Sequence, residues 1–137
     1  MKNTRGERNH NPGNLEFNES IVWQGQCAEQ NDLPYLQFID DDHGIRAMAK
    51  DLHNMQAMHD CETVTQIIER WAPSSENDTD AYIAAVAGHM AVGADDPLDL
   101  SVPGTLNALV IAVIHQENGE QPYNGTLISN AVQEALT

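Results

Sequence analysis

Apolar residues recur at helical spacing over most of this chain. Ile45, Met48, Ala49, Leu52 and Met55 follow an i, i+3, i+4 rule, which predicts an amphipathic helix from His43 to Met58. The aspartates just before it place negative charge where a helix N-terminus favours it. Val64, Ile67, Ile68 and Trp71 define one face of a second helix over Glu62–Ala72, ended by Pro73. A third begins at Asp78 or Thr79, both good N-caps, and carries Tyr82, Ile83, Val86 and Met90. GADDPLDLSVPG is a loop. A fourth helix runs from Pro103 or Gly104 to Gln116, with Ser101 as its expected N-cap and Pro103 in its first turn. Leu106, Leu109, Val110, Ile111, Ala112, Val113 and Ile114 leave this helix almost no polar face, so it is expected to be buried on all sides. It ends at Glu117-Asn118-Gly119, where Gly119 suits a left-handed C-cap. A last helix covers about Thr126 to Leu136. Residues Met1 to Asp42, rich in Asn, Gly, Pro and charge, read as irregular, with short strands at Ser20–Trp23 and Tyr35–Ile39.

The 137 residues suit one domain, and with 41% of them hydrophobic that domain can bury a real core. The apolar mass is mainly Ala, Leu, Ile, Val and Met with few aromatics, which favours packed helices over a β-sandwich. The fold expected is mainly α, with minor strands near the N-terminus. A net charge of −15 repels phosphates and anionic lipid, so nucleic-acid and membrane-surface binding are set aside. The same charge suits solubility or high salt, and weighs against a polyanionic wall as ligand. Cys27 and Cys61 are read as two free thiols in a reducing compartment. The first residues lack the apolar core of a signal peptide, and the longest apolar run is too short to span a bilayer. A protein made in the host cytoplasm is expected, without membrane insertion.

The residue of greatest chemical interest is Glu117. It sits at the end of the buried helix, where low dielectric and the partial negative charge of the helix C-terminus both disfavour an ionised carboxyl. A carboxylic acid that keeps its proton is what protonating a glycosidic oxygen requires. A Glu before an Asn-Gly turn also has a plain reading, as a solvated surface group.

Leu109-Val110-Ile111-Ala112-Val113-Ile114-His115-Gln116-Glu117-Asn118-Gly119 resembles the lytic-transglycosylase segment in which a buried helix delivers the glutamate of a Glu-Ser-Gly motif; Asn118 stands in place of Ser. The chain also resembles the flagellar-type glucosaminidases. Asn11-Pro12-Gly13-Asn14-Leu15, Trp23-Gln24-Gly25, Tyr35-Leu36-Gln37-Phe38, the Gly44–Met58 helix and Asn77-Asp78-Thr79-Asp80-Ala81-Tyr82 follow that family's motif order, except that the glutamate helix comes last. The resemblance implies a circularly permuted, lysozyme-like single domain over residues 1–137. Finally, the chain resembles a set of small phage proteins, often called structural or virion proteins. The carrying motifs are Arg5-Gly6-Glu7-Arg8-Asn9-His10-Asn11-Pro12-Gly13-Asn14, Trp71-Ala72-Pro73-Ser74-Ser75-Glu76-Asn77-Asp78-Thr79 and His115-Gln116-Glu117-Asn118-Gly119-Glu120-Gln121-Pro122-Tyr123.

These resemblances imply cleavage of peptidoglycan glycan strands at phage entry or lysis, with Glu117 as general acid. They also imply a tyrosine, Tyr82, lining the cleft, where on sequence alone a half-buried helix tyrosine is as good a reading. Gly13 and the Asn11 and Asn14 side chains would shape the cleft floor, though a purely structural turn explains them too. Glu76, Trp23 and Tyr123 complete the expected substrate contacts, with capping for Glu76 and core packing for Trp23 and Trp71 as simpler roles. No second reacting carboxylate is identifiable, so a single-acid route is expected, in which the substrate's N-acetyl group or 6-hydroxyl does the rest. No cofactor or metal is expected; Asp40-Asp41-Asp42-His43-Gly44 lacks EF-hand spacing and reads as a charged helix start. The partners implied are peptidoglycan and other virion proteins, at the wall, in the periplasm or in the particle. The alternative is an inactive virion or assembly protein on the same scaffold, with a secreted antibacterial effector as a third reading.

Overall fold

A computed structural model describes residues 3–75 and 77–137. Among them the chain forms six helices: α1 (Arg5–Arg8), α2 (Asp41–His59), α3 (Val64–Trp71), α4 (Thr79–Met90), α5 (Pro103–Asn118) and α6 (Gly125–Ala135). Five match the hydrophobic periodicity, with ends shifted by one or two residues. Their caps explain where they begin. Asp40, Thr63, Asp78 and Asn124 accept the backbone N–H groups of His43, Gln66, Ala81 and Leu127. The expected Ser101 cap is corrected: Val102 takes that position without a side-chain bond, and Pro103 opens the helix without a donor to satisfy. The Ser101 hydroxyl turns instead to Asp99.

α5 runs through the middle of the molecule, packed against α1, α2, α4 and α6. Leu106, Leu109, Val110, Val113 and Ile114 are fully buried, as the near-absence of a polar face predicted, whereas Ile111 is only partly buried, which corrects the expectation of burial on all sides. Around it lie Ile45, Met48 and Leu52 of α2, Ile67 and Ile68 of α3, Val86 of α4, and Ile128 and Val132 of α6. Gly119 adopts φ 74° and closes the helix by donating to the His115 carbonyl.

The N-terminal segment departs from expectation in two ways. α1, a single turn with a Thr4–Glu7 capping box, was not foreseen. The two expected strands do not form among the described residues. Only isolated bridges pair Glu16 with Tyr35 and Gln26 with Phe38. Side chains take the place of strand partners: Gln30 receives the Gln37 N–H at 2.8 Å and donates to the Cys27 and Gln37 carbonyls at 2.9 and 3.1 Å. Both cysteines are free thiols. No helix among the described residues is long and apolar enough to cross a membrane.

Candidate functional site

The C-terminal end of α5 is tied to the Asn11–Asn14 turn by Asn118, the residue that replaces Ser in the resembled motif. Its buried amide donates to the Ile114 carbonyl at 2.9 Å, within its own helix, and to the Pro12 carbonyl at 3.0 Å. Its Oδ1 lies 2.7 Å from the Thr4 hydroxyl. The N-terminal segment, at both Thr4 and Pro12, and the end of α5, more than 100 residues away, therefore meet at one buried side chain.

This junction fixes Glu117. Asn14 Nδ2 donates to its Oε1 at 2.9 Å, and the Tyr82 hydroxyl donates to its Oε2 at 2.7 Å. Each carboxyl oxygen thus has its own donor, one from the first-third turn and one from α4. Tyr82 is buried. Burial, then the nearby Glu117 charge and their hydrogen bond, push its phenol far above the ordinary tyrosine value, against a smaller opposing bond from Trp71. It stays a donor at any ordinary pH. Asn14 is held at φ 50°, and its buried Oδ1 has no partner among the described residues. Asn tolerates this left-handed conformation better than most residues.

Glu117 opens onto a cleft of about 530 Å³. Gly13, Asn14 and Leu15 form one part of its lining, Asp51 and Met55 of α2 another, and Arg70 and Trp71 of α3 a third; Arg5, Glu16 and Tyr35 border it too. Gly13 packs closely, since a Cβ would press to 3.0 Å on Met48 and 3.2 Å on the Trp71 ring, which would have to give way. Trp71 therefore both packs and lines the cleft. Arg5 bridges Asp32 at 3.1 Å and lies 4.9 Å above the Tyr35 ring. A chain with six Lys and Arg in all brings two of them, Arg5 and Arg70, to this cleft.

Of the residues singled out from sequence, Glu117, Asn14 and Gly13 line the cleft. Tyr82 reaches Glu117 but does not itself line it, which corrects the implied position. Asn11 is also corrected: fully buried, it donates to the Leu15 and Leu36 carbonyls and accepts from the Leu15 N–H, each at 3.0 Å. It builds the turn and ties it to the segment around Leu36, away from the cleft lining. Trp23 and Tyr123 pack against the core away from the lining. The Tyr123 hydroxyl is buried without a partner among the described residues. Glu76 lies outside the described residues. Asp40, Asp42 and His43 lie close enough to share a cation, yet His43 Nδ1 and the His43 backbone N–H both engage Asp40 Oδ1, at 2.7 and 2.9 Å, in the helix cap.

Sequence reasoning missed Asp51, Arg70, Arg5 and Tyr35. The missed signal at Asp51 was a carboxyl inside an amphipathic helix, one residue from the buried Leu52.

No family model matches the chain. It is 36% identical over 121 residues to "Protein P5" of Pseudoalteromonas phage PM2, a match covering 87% of this chain and 74% of that protein. At that identity and coverage, the chain belongs to the family of phage protein P5.

Proposed function

We propose that this protein cleaves the glycan strands of peptidoglycan, with Glu117 as the group that protonates the glycosidic oxygen. The observation that carries this reading is a carboxyl held from both sides, by Asn14 and Tyr82, at the wall of a cleft large enough for sugar rings. Two neutral donors fix its orientation, so no rotamer search precedes proton transfer. Asn14 carries local cost as well, a left-handed backbone and an orphaned oxygen, of the kind folds retain at working sites. Trp71 and Tyr35 border the cleft, where aromatic rings can pack on sugar. The reading takes the mainly helical scaffold as a lysozyme-like domain whose glutamate helix comes last, as a circular permutation would place it. Tyr82 acts through Glu117, as a positioning residue. Tyr82→Phe removes one donor to a carboxyl and should lower kcat about tenfold with the fold retained. Because the phenol does not titrate in the working range, the variant should lose no limb of the pH profile that belongs to Tyr82 itself.

A second reading has its own support. The net charge of −15 opposes encounter with anionic wall polymers, and the relative is a phage protein, which suits a virion or assembly component without activity. Turbidity clearing of purified walls across a salt series separates the two. The enzyme should clear walls, faster as salt or divalent cations screen the repulsion. Wild type inert at every salt and pH leaves the scaffold reading.

A further inference from the structure

Asp51 shares the cleft with Glu117 and has no hydrogen-bond donor or ion pair among the described residues, although its side chain is half-buried. Arg70 and His59 are the charged or titratable groups whose fields reach it, and neither lies within bonding range; Glu117, Glu16 and Arg5 border the same cleft. Arg70 spends its contact on the His59 ring, 3.2 Å from Nε2. Burial pushes the Asp51 carboxyl above the ordinary aspartate value, and the attraction of Arg70 and His59 only partly offsets it. A carboxyl that holds its proton more tightly in the folded than in the unfolded chain favours folding at low pH. That contribution is lost as pH rises through the folded value. A half-buried carboxyl without a bonding partner among the described residues, on the wall of the cleft that Glu117 borders, is free to exchange a proton with what occupies that cleft.

We propose that Asp51 is the second reacting carboxyl of this cleft, the base that activates water. The inference rests on the glycan-cleavage reading. Ionised Asp51 takes a proton from water as the water oxygen bonds to the anomeric carbon. The bond from that carbon to the departing sugar's oxygen breaks, and its electron pair takes the proton of Glu117. Water has been added across the bond, and the two carboxyls return to their starting states by proton exchange with solvent. A base made stronger by burial suits this step.

The test compares wild type, Glu117→Gln and Asp51→Asn on purified sacculi, with thermal melts of each and mass spectrometry of the released fragments. Asp51→Asn should lower kcat about 100-fold or more with little change in apparent KM. It should flatten the acidic limb of the pH profile and leave Tm unchanged or raised. Wild-type fragments should carry reducing ends. Full activity in Asp51→Asn, a loss carried by KM alone, a Tm lowered by several degrees, or anhydro ends would each overturn the proposal. If wild type clears walls and Glu117→Gln does not, such a result removes only the role of Asp51. An inert wild type removes the cleavage reading and this role together.

Discussion

Glu117→Gln should abolish wall clearing while leaving the fold intact. Gln keeps the volume of Glu and one acceptor oxygen. That oxygen can still take the Asn14 N–H, and the Tyr82 hydroxyl can turn to accept from the new amide, since a phenol both donates and accepts. What is lost is the transferable proton. General acid catalysis is worth roughly 10²–10⁴-fold, so a loss of about 10³-fold is expected, corresponding to about 4 kcal/mol of barrier. A melt within a few degrees of wild type, together with clearing reduced to background, is the expected pair of results. Wild-type rates in this variant would remove Glu117 from the reaction.

The largest effect expected on stability is at Gly44→Ala. Gly44 lies in the first turns of α2, where a Cβ would overlap the His10 carbonyl oxygen and press on Pro12 at 3.3 Å. The obstacle is backbone, so no rotamer change relieves it. His10 sits at φ 51° and its ring meets Asp41 at 2.7 Å, which leaves the loop little freedom to retreat. Overpacking usually costs about 1–3 kcal/mol, and a backbone collision belongs at or beyond the upper end. A loss of more than ~3 kcal/mol, roughly 10 °C in Tm, is expected. Because the displaced loop carries Asn14, activity should fall further than stability alone explains. Gly104→Ala is the control: a Cβ there meets nothing within 4 Å, and it should be neutral or stabilising. A Gly44→Ala melt matching that control would contradict the packing described.

The helices were legible because their apolar spacing and caps agree. For α5 the uninterrupted run from Leu109 to Ile114 and the terminal Gly119 marked both burial and the stop. The meeting of Glu117 with Asn14 and Tyr82 was not visible in any local pattern; only the order of motifs along the chain pointed to it. Asp51 was illegible for a physical reason. On a helix wheel it flanks the buried face of Met48, Leu52 and Met55, where charged residues normally meet water, and only the approach of α3 and the Gly13 turn encloses it. The false strands had a similar origin. Alternating residues at 20–23 and 35–39 look extended, but Gln30 and Asn11 satisfy backbone groups of the second segment that a neighbouring strand would otherwise take. Asn11 and Asn14 stand three residues apart in one turn with the same side chain. One is fully buried in backbone bonds and the other reaches Glu117, a division that depends on the position of α5.

The most direct measurement is mass spectrometry of purified sacculi incubated with the wild-type protein at moderate salt. Glycan-strand cleavage predicts soluble muropeptides whose new termini lie on sugars, absent from the Glu117→Gln digest. Sacculi that release nothing, or fragments cut only in their peptides, would contradict it.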